Sequence, residues 1–263
     1  MELSQRTNIF LYLSGLLLFL IGFLVAYFVL PGGMVTDSSY TYFEDSISTE
    51  KEESHTVSSS EDYERKVWDH VSVIELPEVI GESDISVEEA LINRRSYHEY
   101  EGSSITLQEL GQVLWSGQGI TDDHGSRTAP SARRVYPSRL YVFVHNVDEL
   151  NPGIYEYVPE DHVLGLIREG DYRSNWEEVT PQTQPQTASA VILQTADMSD
   201  EGFRKLALQE SGHIGQNMYL QAESLGLGMT VMGGFDADLA SDLLGLDEFE
   251  EVVYLIPIGN RIN

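Results

Sequence analysis

The pattern of apolar and polar positions divides the chain into three stretches. Residues 9–30 carry no charged side chain and are built mainly of Leu, Ile, Phe, Val and Tyr, with Gly15 and Gly22 among them. As a helix rising about 1.5 Å per residue, this run is long enough for a hydrocarbon core of about 30 Å. Tyr12 and Tyr27 lie near its ends, where amphipathic rings favour the interface. The run predicts a single-pass N-terminal anchor in a lipid bilayer, behind a short tail at 1–8. A cleaved secretory signal competes with this reading, but the run is longer than such signals and no small-x-small site follows. Arg6 ahead of the run gives a weak preference for the bulk of the protein lying outside. Residues 31–71 are rich in Ser, Thr, Asp and Glu and lack periodicity, which predicts a disordered, self-repelling tether. Periodic patterning begins near Ser72, so 72–263 is the expected folded domain.

Within that domain two Ser/Thr-x-x-Glu capping boxes open helices, Ser86–Glu89 and Thr106–Glu109. The first helix delivers Arg94 and Arg95 at its C-terminal end. The second repeats Leu107, Leu110 and Leu114 on one face. A short extended entry is expected at Val73–Pro77 and a strand at Arg139–Asn146. Ile154–Val158 and Val163–Ile167 read as a hairpin closed by the polar turn Pro159–His162. Further strands are expected at Ala188–Ala196, Gly228–Met232 and Glu251–Pro257. A long helix is expected over Phe203–Leu225, ended by Gly226, and a short one over Ala237–Leu244. Helices and strands are interspersed without strict alternation. That predicts an α+β fold, a central mixed sheet flanked by helices, rather than a doubly wound one.

Charge narrows the function. The chain has 43 acidic residues against 15 Lys and Arg, a formal net charge of −28. Such a surface repels a phosphate backbone, so nucleic acid is excluded as a partner. Lysine occurs only at Lys51, Lys66 and Lys205, a balance similar to that of proteins adapted to high salt. Cysteine is absent, which removes disulfides, iron–sulfur clusters and thiolate nucleophiles. The seven histidines show no metal-ligand spacing, and there is no P-loop or GxGxxG after a first strand. Ser131, in Ala-Pro-Ser-Ala, does not sit in a G-x-S-x-G elbow.

Against this acidic background, Arg94-Arg95-Ser96 stands out. Paired guanidinium forks and a hydroxyl suit the oxygens of a phosphate, although a surface pair in salt bridges would read the same way. Gly233-Gly234 follows a strand, and bare backbone there can approach a flat ligand; an ordinary turn is the plainer reading. Arg261, beyond the final strand, adds a basic residue; a frayed tail is the plainer reading.

Together with their neighbours these segments resemble the SagB-type branch of the nitroreductase-like flavoproteins, from about Ser72 to Arg261. The resemblance is carried by Leu91–Ser96, Leu110–Gly119, Arg127–Ala132, Tyr136-Pro137, Pro152–Tyr157, Glu210–Asn217, Gly226–Gly228 and Gly233–Phe235, in order and at matching spacings. It implies an FMN enzyme, usually a homodimer with the flavin at the subunit interface. By resemblance, Arg94, Arg95 and Ser96 hold the flavin phosphate. Pro130, Ser131 and Ala132 lie against the ring, and Gly233 and Gly234 present backbone to its reactive edge. Arg261 adds to phosphate binding. The implied donor is NAD(P)H or a membrane quinol, with a small-molecule acceptor left open. Three departures matter. His98 stands where the family often has a second cation. Arg133 and Arg134 follow Ala132 where the family has glycine, and they can meet an anionic substrate, stabilise a reduced anionic flavin or face solvent. Asp197-Met198 occupies the place of the Lys-Tyr pair of azoline-oxidising members. Azoline-to-azole oxidation and a flavin-binding scaffold without turnover are the alternative functions.

Overall fold

A computed structural model describes residues 66–262. Strand β1 (Ser72–Glu75) leads through a loop to helix α1 (Val87–Asn93) and helix α2 (Leu107–Gln118). A single 3-10 turn at Ala132–Arg134 precedes β2 (Ser138–Val144), β3 (Gly153–Val158) and β4 (Val163–Glu169). Two short helices follow a turn at Arg173–Asn175, α3 (Trp176–Val179) and α4 (Gln184–Thr187). Then come β5 (Ala190–Asp197), the long α5 (Glu201–Ser224), β6 (Leu227–Met229), α6 (Ala237–Leu244) and β7 (Glu250–Asn260).

Of the two expected capping boxes one is complete, and the other forms only its Ser86 half. Thr106 and Glu109 close a full capping box on α2, while Ser86 caps α1 by accepting from Glu89 N. Asp236 caps α6, and Gly245 ends it at φ 77°, a left-handed position that costs glycine little. Arg168 on β4 donates to the carbonyls of Leu243 and Leu244, at 2.6 and 3.1 Å, satisfying the last turn of α6 from outside.

The strands form one seven-stranded sheet in the order β1-β4-β3-β2-β5-β7-β6. Every ladder between these strands is antiparallel, which corrects the expected mixed sheet. The reason is topological. β2, β3 and β4 are a meander, and the longer connections return each later strand beside an oppositely directed neighbour. Val142, Val144, Tyr155, Leu164, Ile192 and Ile256 face α2 and α5, packing on Leu110, Leu114, Ile214 and Met218. Tyr141, Phe143, Ile154, Val191, Leu193 and Leu255 face the opposite layer, around Trp176, Ala240 and Leu244. Strand β5 is covered on both faces, so its apolar run shows no alternation. Gly117 sets the closeness of α2 to α5. A Cβ there would lie 3.0 to 3.2 Å from Met218 and Ile214.

Trp68 and His70 also lie against the sheet. Trp68 donates to Tyr141 Oη at 3.3 Å, and His70 pairs with Glu156 at 2.9 Å. The membrane assignment is corrected. Among the described residues no helix is long and apolar enough to cross a membrane. The longest of them, α5, has 24 residues but carries Glu201, Arg204, Lys205, Glu210 and Glu223. The apolar run at residues 9–30, on which the expectation rested, lies outside the described residues.

Candidate functional site

Helix α1 ends at Arg94, whose amide still donates to Ala90 O while its ψ of 128° turns the chain extended. The next residues run along α5 and the end of β6. The Arg94 guanidinium stacks over the Tyr219 ring, 4.9 Å from its centroid. Ser96 Oγ lies 2.9 Å from Tyr219 Oη, which also accepts the Val231 amide at 2.9 Å. Arg95 is exposed and folds back to donate to the carbonyls of Ile92 and Arg94, each at 2.8 Å. Neither Arg94 nor Arg95 has a carboxylate within 4.0 Å among the described residues. The surface salt-bridge reading of this pair is therefore not what the structure contains.

The segment is held firmly behind its exposed face. The Tyr97 amide donates to Met229 O at 3.1 Å, and its carbonyl accepts from the Thr230 hydroxyl. Buried Tyr100 donates to Pro257 O at 2.9 Å and to Tyr97 O at 3.2 Å. Burial pushes the Tyr100 phenol well above its usual range, so it stays a donor. Arg261 donates to Tyr97 Oη at 2.6 Å, to Gly226 O at 2.8 Å and to the Glu223 carboxylate at 3.2 Å. Its guanidinium is thus committed to protein groups and braces Tyr97.

His98 joins the same site from another side. Its Nδ1 accepts from Gln184 Nε2 at 2.7 Å, and Gln184 in turn reaches Gln182 Oε1 at 3.4 Å. Gln182 Nε2 and Thr180 Oγ1 both donate to Gly234 O, at 3.2 and 3.3 Å. Arg94–His98 and Gly233-Gly234, distant in sequence, are therefore parts of one bonded assembly. Neither glycine has a left-handed φ. A Cβ at Gly233 would meet nothing within 4 Å, and one at Gly234 only Gln182 Nε2 at 3.6 Å. Nothing in the chain's own packing demands glycine at 233. Tyr219, Gln182 and Gln184 are the site residues that sequence reasoning missed. The two glutamines lie in a Gln/Thr/Pro stretch without periodicity, and Tyr219 reads as one more residue of a long helix.

The loop with Pro130, Ser131 and Ala132 packs against another part of α5. Asn217 Nδ2 donates to Thr128 O at 3.1 Å, and His213 Nδ1 lies 3.3 Å from Pro130 O. Ser131 Oγ accepts the Tyr136 amide at 2.9 Å, tying the loop across itself. At about 100° per residue, Tyr219 is turned about 200° from Asn217, so the two groups of candidate residues occupy opposite sides of α5. The structure does not bring them together within one chain. A groove of about 530 Å³ adjoins the second group, between α1, α2, α5 and the loop at Ile80, and is lined by Trp115, Asn217 and Leu220. A polar cavity of about 270 Å³ lies where β2 and β3 diverge, lined by Arg127, Arg139, Glu156 and Ser138. Neither holds Arg94–His98 or Gly233-Gly234, which lie on open surface. Among the described residues no His, Cys, Asp and Glu cluster is placed to hold a metal ion.

Residues 91–260 match the Nitroreductase family. A Methanocaldococcus jannaschii protein named as a nitroreductase is 34% identical over 197 residues, covering 72% of this chain and 96% of its own length. The chain belongs to the nitroreductase family. Relatives in the nitroreductase family are oxidoreductases, and their FMN dependence is general. A Ralstonia eutropha JMP134 crystal structure of the family has a TM-score of 0.62 at 26% identity, over 73% of this chain and 90% of that one. A chain of the E. coli microcin synthetase McbBCD complex, 16% identical, shares the fold with a TM-score of 0.56 over 91% of this chain and 86% of that one.

Proposed function

We propose that this nitroreductase-family protein is an FMN-dependent oxidoreductase of the SagB-type branch, acting as a homodimer on NAD(P)H and a small-molecule acceptor. The observation that carries the reading is the joining of Arg94–His98 to the Gly233-Gly234 turn through Tyr219, Gln184 and Gln182. These residues fit FMN. Two guanidinium groups without carboxylate partners and a hydroxyl suit its phosphate, and the open space at Gly233 suits a flat ring against backbone. When bound, FMN supplies the two-electron redox chemistry.

The chain's own residues bind and orient. Arg94 and Arg95 provide charge, and Ser96 provides a hydroxyl held by Tyr219. His98 lies with Nδ1 2.7 Å from Gln184 Nε2, which orients its ring beside the phosphate segment. Arg261 acts behind Tyr97, an indirect support of the phosphate segment. Gly233 and Gly234 offer backbone to the ring edge. Pro130, Ser131 and Ala132, on the far side of α5, form the second half of a site that a second copy completes. Two features of α5 support pairing. Leu208 is exposed, and Gly212 lies in the helix interior where a Cβ would meet nothing within 4 Å, so the chain alone gives no return for the roughly 1 kcal/mol that glycine costs there.

The McbBCD likeness keeps azoline oxidation as a second reading, but the local residues do not favour it. Met198 is buried with its amide on Phe249 O, and the Asp197 carboxylate accepts the Ser199 amide. The test is a visible spectrum of the purified full chain before and after NADH or NADPH. Flavin absorbance that bleaches with donor and returns in air is expected. Protein that takes up no added FMN refutes the assignment. Flavin bound but reduced by no donor leaves the scaffold reading, and a loss of two hydrogens from an azoline peptide in mass spectrometry would revive the second.

A further inference from the structure

The loop that follows Pro130 carries charges that the site described so far does not use. In a chain of net charge −28, arginines find carboxylates readily. Arg127, Arg139, Arg173, Arg204 and Arg261 each do so, and Arg168 caps a helix end. Arg94, Arg95, Arg133 and Arg134 do not, within 4.0 Å and among the described residues. The first two are the phosphate segment of the proposed site. The second two immediately follow Ser131 and Ala132, its other half.

Their backbone is equally unusual. Arg133 has φ 55° and ψ 14°, Arg134 φ 59°, and Tyr136 φ 49°. Left-handed conformations are unfavourable for a non-glycine residue, and a sequence free to choose would place glycine there. The conformation is pinned by the Ser131 Oγ bond to the Tyr136 amide and by the Arg134 amide on Ser131 O at 3.1 Å. The side chains are set as well. Arg133 lies over the Phe203 ring, 5.2 Å from its centroid, and Arg134 donates to His124 O. Both residues remain exposed. Asp122 is an acid that Arg134 acts on. Its carboxyl is held below the usual range mainly by hydrogen bonds from Ser126, with Arg134 the smallest of the influences. Two cations are thus kept in a costly backbone, beside the ring-contacting loop and out of ion pairs, in a chain that could neutralise them.

We propose that Arg133 and Arg134 are the anion-recognition element for the co-substrate, binding an oxyanion, carboxylate or phosphate, on the molecule that approaches the flavin. This rests on the flavin reading of Pro130–Ala132. The planar forks of arginine suit both oxyanions, and the two sources are a carboxylate-bearing acceptor and a phosphate-bearing dinucleotide.

The test uses the full chain loaded with FMN, and the variant Arg133→Gly/Arg134→Gly. Glycine removes both charges and favours the left-handed backbone, so the variant is expected to melt no lower than wild type. Benzoate, NADP⁺ and uncharged benzamide are titrated at fixed ionic strength, and binding is read from the perturbation of flavin absorbance. The expected result is a loss of about tenfold or more in affinity for benzoate or NADP⁺, with benzamide unchanged. Arg133→Lys/Arg134→Lys should recover part of that loss. A loss confined to benzoate assigns a carboxylate-bearing co-substrate, and one confined to NADP⁺ assigns the dinucleotide. Equal anion affinity in wild type and the glycine variant overturns the proposal, as does an equal loss for benzamide or a wild type that binds neither anion better than benzamide. A wild type that takes up no FMN overturns the flavin reading and this inference with it, whereas the other outcomes leave the flavin reading standing.

Discussion

Replacing Gly233 by alanine separates what the fold needs from what a cofactor needs. A methyl there enters open space, since nothing lies within 4 Å of the position a Cβ would take. The backbone is not left-handed, so alanine meets no conformational penalty of that kind. The flavin-free protein should therefore gain about 0.4–1 kcal/mol from the reduced freedom of its unfolded chain. For a domain of this size that is a rise in melting temperature of about 1–4 °C. The flavin-bound state should respond in the opposite direction. A ring packed against bare backbone leaves no room for the methyl, and overpacking of this kind costs about 1–3 kcal/mol. At 1.4 kcal/mol per tenfold, FMN affinity should fall by a factor of about 5 to 150. Calorimetry of the apoprotein reads the first effect, and quenching of FMN fluorescence on titration reads the second. A variant whose flavin affinity matches wild type within twofold refutes the placement of the ring edge at this turn. A variant whose apoprotein melts lower shows instead that the turn is constrained by the chain itself.

Three further outcomes are expected. Arg94→Ala with Arg95→Ala should lower FMN affinity by several kcal/mol, about 1.5–3 for each charged hydrogen bond lost, in the same fluorescence titration, and unchanged flavin content in the purified variant would refute the phosphate role. Gly212→Arg should keep the melting temperature near that of wild type but convert dimer to monomer in light scattering, with loss of flavin; a dimer that persists excludes this face of α5. His145 should make the fold acid-sensitive. It donates from Nδ1 to Ala188 O at 3.1 Å and accepts from Trp176 at 3.3 Å, and burial lowers its pKa to about 4. The unfolded imidazole protonates below about 6.5 while the folded one stays neutral to about 4, so the unfolded state binds more protons and stability drops as pH falls between those values. The loss from pH 7 to 5 is about 2 kcal/mol, measured by urea unfolding, and His145→Gln should flatten the profile by that amount. An identical slope in the variant would place the acid sensitivity in other groups.

Much of this architecture could be read from residues near one another in sequence. The capping box at Thr106 and Glu109, the hairpin around Pro159–His162 and the bounds of α6 are local decisions, and each is found as expected. The strand order was not legible. It depends on which edges meet after long connections, and nothing in the spacing of β5 and β7 requires them to be neighbours. Helices α3 and α4 escaped notice because four residues are too few for a helical repeat to show, and Pro185 in α4 reads as a breaker. At the site, charge contrast marked Arg94 and Arg95, and glycine marked the turn at 233. The residues that connect them, Tyr219, Gln182 and Gln184, have no such contrast in sequence. Their significance comes from folding, which brings α5 and the segment before α4 against both motifs. Arg261 also stood out as a cation, and its pairing with Glu223 of α5 is likewise made only by folding.

The place of β5 in the sheet has a consequence for how the chain is made. It lies between β2 and β7, and β7 follows only after α5, β6 and α6. As the chain leaves the ribosome, β2 can cover one edge of β5 at once. The other edge, with Ala190, Val191, Ile192 and Leu193 in a row, has no partner until β7 arrives. At about 5–20 residues per second that interval lasts roughly 3–10 s, in which an apolar strand edge is open to neighbouring chains. The net charge of −28 then acts before the fold exists, by keeping nascent copies apart while the centre of the sheet waits for its last neighbour.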